Sequence, residues 1–267
     1  KMNVLHIHFS DDQAYRLPSS ARPQLPSAEH YSKQQLLDLV AYAADRGVRI
    51  VAEVDVPGHV THWLAAYPEW GMYEVQPSER FGVHKACLNP TDEVVYTALD
   101  AIFTEVIEIF PDDFVHVGGD EVNPSWWSDN PQAQAFIDTH NLVDVRGLQN
   151  YFLQRLSTML ETKGKQVIAW DEVLHADMPG CVVQNWRGIT TRDRALALSR
   201  DCVVSGPFYL DLLFPADLHY GFDPLGSQKE MLALEDGLAD DLRLQHIAEA
   251  LAWTHQWREG AVDLDEK

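Results

Sequence analysis

Short apolar runs of strand type alternate with longer amphipathic stretches along the chain, and nearly every apolar run breaks off in polar or acidic residues. Val4-Leu5-His6-Ile7-His8-Phe9 alternates in the manner of a strand and ends in Ser10-Asp11-Asp12-Gln13. The pattern predicts a helix from Ser32 to Asp45, with Leu36, Leu37, Leu39 and Val40 on its apolar side and Gly47 as its stop. Val48 to Val54 is almost wholly apolar, as expected of a strand covered on both faces, and it leads into Asp55-Val56-Pro57-Gly58-His59. A second helix is expected over Glu93 to Phe110, followed by a strand from Asp113 and a long helical region that continues past Trp127 through Lys163. Gln166 to Trp170 reads as a strand that ends in Asp171-Glu172, and Cys181 to Arg187 and Cys202 to Gly206 repeat the arrangement. Gly226 to Glu249 looks helical, with Glu235, Asp236, Asp240 and Asp241 facing solvent.

Strands alternating with helices, without a break in composition, predict a parallel sheet with helices packed on it. The 267 residues suit one α/β domain of the (β/α)8 barrel type, a fold of about 250 residues, spanning 1–267. Six clear strands and one doubtful strand are countable, so either an early strand precedes Lys1 and a closing helix follows Lys267, or the barrel is incomplete.

The formal charge of -21 repels nucleic acid, anionic membrane surfaces and acidic polymers, so a neutral substrate is expected. Cys87, Cys181 and Cys202 include no C-x-x-C pair, which points to buried thiols rather than a disulfide framework or a structural zinc site. No apolar run reaches the length of a spanning helix, and the first residues lack a leader pattern. A secreted, periplasmic or lysosomal location would require a leader upstream of Lys1. Composition carries no information on oligomeric state.

The candidate chemistry centres on Asp113-Phe114-Val115-His116-Val117-Gly118-Gly119-Asp120-Glu121-Val122. A strand breaks here at two glycines, and two carboxylates follow at once. Strand neighbours point to opposite faces, so Asp120 and Glu121 fit a loop at the strand's end better than the strand itself. If both face one cleft, their repulsion leaves one protonated near neutral pH, as an acid catalyst requires. In a parallel barrel Asp11, His59, Glu121, Trp170, Trp186 and Tyr209 would converge on one rim. Aromatic rings beside carboxylates suit a sugar, which stacks its C–H face and hydrogen-bonds its hydroxyls. The blander readings are an exposed acidic loop, core tryptophans, and a His59 that caps its turn.

His116-Val117-Gly118-Gly119-Asp120-Glu121-Val122 resembles the signature of family 20 glycoside hydrolases, the β-N-acetylhexosaminidases. Leu5 to Gln13, Asp55 to His59, Trp170-Asp171-Glu172, Gln184-Asn185-Trp186 and Tyr209-Leu210-Asp211 resemble its other motifs, in the same order. The resemblance implies a retaining exo-acting hydrolase that uses the substrate's own 2-acetamido oxygen as nucleophile, on an amino-sugar oligosaccharide or glycoconjugate and without a cofactor. It implies Glu121 as general acid and base, and Asp120 as the group that orients the acetamido nitrogen. Tyr209 would bond the acetamido oxygen, Trp170 and Trp186 would wall its methyl group, and Asp211 would contact sugar hydroxyls. Asp11 and His59 would form a relay to Glu121. Trp257 and Glu259 match a Trp-x-Glu pattern near the last strand. Two other classes stay open at this point: a metal-dependent hydrolase using His6 and His8, and a noncatalytic carbohydrate-binding protein or inactive fragment.

Overall fold

The computed structural model describes residues 2–209, apart from 81, 176, 177 and 179, together with 215–221 and 224. Six strands, β1 (Val4–His8), β4 (Arg49–Glu53), β5 (Phe114–His116), β6 (Gln166–Trp170), β7 (Val182–Asn185) and β8 (Cys202–Val204), form one sheet in that order. Every neighbouring pair is parallel. A small antiparallel hairpin, β2 (Ser10–Asp11) with β3 (Ala14–Tyr15), follows β1. Six parallel strands in sequence order, joined through helices, form most of the wall of a (β/α)8 barrel.

The intervening helices are α1 (Lys33–Ala44), α2 (Thr61–Ala66), α3 (Glu93–Ile109), α4 (Ser125–Ser128), α5 (Pro131–Thr139), α6 (Val145–Thr162) and α7 (Ile189–Ala197), with α8 (Ala216–Gly221) after β8. Helix α1 begins where its sequence predicts: the Ser32 hydroxyl accepts the Gln35 N–H at 3.2 Å, and the Gln35 side chain accepts the Ser32 N–H at 2.8 Å. Its apolar side is narrower than expected. Leu36 is fully buried while Leu37 is exposed, because consecutive residues lie about 100° apart on a helix and only one can face the sheet.

The long helical region expected through Lys163 is instead three helices, α4, α5 and α6. Asn130 caps α5 ahead of Pro131, Asn141 adopts a left-handed φ of 53°, and Asp144 caps α6, so three local breaks outweigh the continuous apolar pattern. The helical stretch expected over Gly226 to Glu249 lies outside the described residues.

Strand residues alternate between two cores. Ala52, Val115, Val167, Ala169 and Val183 face outward and pack with Leu99, Ile102, Phe103 and Val106 of α3 and Phe152, Leu153 and Leu156 of α6. Val51, Ile168, Val182 and Val203 form a separate apolar cluster with Val4 and Phe114, filling the barrel's interior. Two residues further along four of those strands the interior turns polar, at His6, Glu53, His116 and Trp170. That change marks the rim on which the site is built. Among the described residues the three cysteines are buried free thiols, as expected, and burial pushes each up to about 12.

Candidate active site

Strand β5 ends in a turn that L-residues other than glycine fit poorly. Gly118 and Gly119 have φ of 70° and 91°. The Gly119 N–H donates to Asp55 Oδ1 at 3.0 Å, and Gly118 lies so close behind that a Cβ there would fall inside the Asp55 carboxyl group. The tight packing of glycine on aspartate turns the chain out of the barrel and delivers Asp120 and Glu121 to the rim, Glu121 itself at φ 48°. Gly118→Ala is therefore expected to destabilise the fold by about 2–4 kcal/mol and to reduce activity with it, readable as a lowered Tm.

Both carboxylates meet one imidazole. His59 Nε2 lies 3.6 Å from Asp120 Oδ2 and 3.5 Å from Glu121 Oε2, while its Nδ1 lies 3.0 Å from Asp11 Oδ1 and 3.6 Å from Asp12 Oδ2. Asp12 also accepts the Thr61 N–H and hydroxyl, which fixes the first turn of α2 beside the imidazole. Burial alone would lower the His59 pKa, but the surrounding carboxyl groups, Asp55 foremost and then Asp11, Asp12 and Glu121, raise it instead. Burial would likewise raise Asp11, yet its hydrogen bonds with His59 and His8 hold it well below the usual carboxylate range. Asp120 moves the other way: burial raises it and the nearby His59 only partly offsets that.

Asp55, buried directly behind, is raised well above the carboxylate range by desolvation and by the charge of Asp120. Asp55 Oδ2 and Asp120 Oδ1 are both buried and have no hydrogen-bond partner among the described residues when both groups are ionised. One proton shared between these neighbouring side chains satisfies both oxygens.

The opposite wall is aromatic. Trp170 and Trp186 have ring centroids 6.5 Å apart at 74°, and Trp186 and Tyr209 are 6.4 Å apart at 45°. Trp170 is pinned by its Nε1–H, which donates to Glu53 Oε1 at 2.8 Å. Trp186 donates its Nε1–H to Glu172 Oε2 at 3.0 Å, and the loop that carries it is held by Asp171, which accepts the N–H groups of Trp186 and Arg187 and contacts the Arg187 guanidinium.

Burial, opposed by the Trp186 hydrogen bond, raises Glu172 from 4.5 to about 7. The folded protein then holds this proton more tightly than the unfolded chain does. The resulting stabilisation is complete below pH 4.5 and is lost as pH rises through about 7. Glu172→Gln, which keeps an acceptor for Trp186, should flatten the fall of Tm between pH 5 and 8, and an unchanged slope would contradict the assignment.

Asp11, His59, Asp120 and Glu121 thus meet within ion-pairing distance, and Trp170, Trp186 and Tyr209 form one wall, as the barrel rule predicts. Asp211, Trp257 and Glu259 lie outside the described residues. Glu53, a single charge inside an apolar run, was not singled out in the sequence, and Asp55 and Glu172 were named only as members of their motifs, without roles of their own. His6 and His8 pack inside the barrel against Glu53, each 2.9 Å from Glu53 Oε2. Histidine and carboxylate atoms gather here within 4.8 Å of one another.

Parallel strands bring an acid pair and an aromatic wall to one rim of a (β/α)8 barrel. Residues 1–256 match the model of the glycosyl hydrolase family 20 catalytic domain, and the chain belongs to that family. It is 30% identical over 243 residues to a β-hexosaminidase of Porphyromonas gingivalis, covering 84% of this chain and 30% of that protein. It is 32% identical to the β-hexosaminidase subunit beta of Homo sapiens, covering 86% and 45% respectively. The X-ray structure of Flavobacterium johnsoniae chitobiase superposes with a TM-score of 0.83 at 34% identity, over 88% of this chain and 38% of that one. The chain spans less than half the length of these relatives.

Proposed function

We propose that this chain removes a terminal β-linked N-acetylglucosamine or N-acetylgalactosamine from an oligosaccharide or glycoconjugate, with retention of configuration. One observation carries the reading: two adjacent carboxylates meet the same imidazole nitrogen. In most retaining glycosidases the second carboxylate faces the acid across the sugar, about 5 to 5.5 Å away, and attacks the anomeric carbon. Here Asp120 stands beside Glu121 and is better placed to steer a nucleophile that the substrate supplies.

The 2-acetamido oxygen attacks the anomeric carbon as the glycosidic bond breaks, and Glu121 gives its proton to the departing oxygen. Asp120 accepts the acetamido N–H and offsets the positive charge that develops on the oxazolinium ring. Glu121 then takes a proton from the water that opens this ring. Trp170, Trp186 and Tyr209 enclose the acetamido group, and the Asp11–His59 pair sets the proton affinity of Glu121. Asp211, Trp257 and Glu259 would bind sugar hydroxyls.

Release of p-nitrophenol from its N-acetyl-β-glucosaminide, set against the corresponding β-glucoside, tests the reading. The acetamido substrate should be strongly preferred, and a thiazoline analogue of the cyclised intermediate should inhibit competitively. Comparable hydrolysis of the plain glucoside would overturn it.

A further inference from the structure

Behind the catalytic pair, the ion pairs continue into the barrel. Asp11 binds His59 with Oδ1 and turns Oδ2 toward His8 Nε2 at 3.8 Å. His8 Nδ1 lies 2.9 Å from Glu53 Oε2, and Glu53 Oε1 accepts the Trp170 Nε1–H. Glu53 has no exposed surface and is also met by His6 Nε2 at 2.9 Å and His116 Nδ1 at 3.1 Å. A fully buried carboxylate is costly to desolvate, and the interior one layer below is made of valine, isoleucine and phenylalanine. Fold stability alone gives little reason for a charge here.

We propose that His8 and Glu53 are positioning residues for the reaction, extending the Glu121–His59–Asp11 relay inward as a series of alternating charges. The proposal rests on the reading of Glu121 as the proton donor. Burial would lower the pKa of His8, but Glu53 and Asp11 on either side raise it well above the ordinary histidine value. Burial would raise Glu53, and His116, His8 and His6 more than reverse this. His6, taken down to about 4 mainly by burial, contributes a hydrogen bond rather than a charge. Asp55 and Asp120 are the acidic groups that also feel Glu53. His8 is thus the cation that neutralises Asp11 from the side away from His59. Without it the field at Glu121 becomes more negative, and Glu121 holds its proton to higher pH. Without Glu53 as well, an anion is lost along with the cation and the field recovers.

The test is the pH profile of kcat/KM on an alkyl N-acetyl-β-glucosaminide, whose poor leaving group needs protonation, so that the upper limb reports loss of the acid's proton from the free enzyme. In His8→Asn, which keeps a donor toward Glu53, the upper limb should move up by about one pH unit, the size of one charge acting at intermediate dielectric. In the Glu53→Gln/His8→Asn double variant it should return toward the wild-type position. A limb that stays put in the single variant, or a double variant displaced as far as the single one, would overturn the proposal, since a merely structural role predicts additive damage. Glu121→Gln serves as the control: it should abolish the upper limb, and a persisting limb would remove the acid assignment and this proposal with it. If His8→Asn does not fold, imidazole 15N shifts of the wild-type chain decide instead. His8 should be doubly protonated at pH 8, and a neutral ring there would end the proposal.

Discussion

Glu121→Gln is expected to slow hydrolysis of a disaccharide or alkyl glycoside by about 10³-fold while leaving the fold intact. General acid catalysis contributes about 10²–10⁴ when the leaving group is a poor one, and a sugar alkoxide is poor. Glutamine keeps the shape but has no proton to give to the departing oxygen and cannot take one from water afterwards. The side chain is 36% exposed, so the change leaves no buried vacancy and should barely move Tm. p-Nitrophenolate leaves without help, so the loss on that substrate should be clearly smaller in the bond-breaking step, with the second step becoming limiting. Measuring kcat on both substrates settles the role. Equal losses on the two would mean that Glu121 does something other than donate a proton.

The parts of this site that were legible in the sequence are those in which local pattern and tertiary role agree. Gln166–Trp170 matches its expected bounds because a β-branched run between a glycine and two acids leaves the chain little choice. The glycines at 118 and 119 could be recognised because a turn needing positive φ tolerates few other residues. His59 and Asp11 lie far apart in sequence, yet each sits in the segment that follows a parallel strand, and one rule of barrel architecture brings them together.

Glu53 escaped notice for the opposite reason. It is a single charge in an apolar run, and only the parallel register of β1, β4, β5 and β6 reveals that His6, His8, His116 and Trp170 surround it. Asp55 was visible as part of a motif, but its proton depends on Asp120 across the sheet, which no local pattern encodes. The region from Asn123 to Lys163 misled because apolar periodicity says where a face is buried, while caps at Asn130 and Asp144 decide where helices stop.

Asp120→Asn should lower kcat by about 10²–10³ and change KM far less, because the charge it offsets exists only as the acetamido oxygen closes on the anomeric carbon. The substitution is nearly isosteric, so a loss of this size would reflect charge and hydrogen-bond direction rather than volume. Asparagine can present an N–H where the acetamido group also presents one, and the substrate then loses the acceptor that holds its carbonyl oxygen toward the sugar ring. The low-pH side of the profile should change as well. Burial raises Asp120, and it neighbours a protonated Asp55, so in the wild-type chain the pair titrates as a unit and acid removes the charge the reaction needs. In Asp120→Asn that acidic limb should flatten, leaving a slow enzyme whose rate depends little on pH below neutrality. An acidic limb that persists unchanged in the variant would place the titration elsewhere, with Glu172 as the next carboxyl to replace.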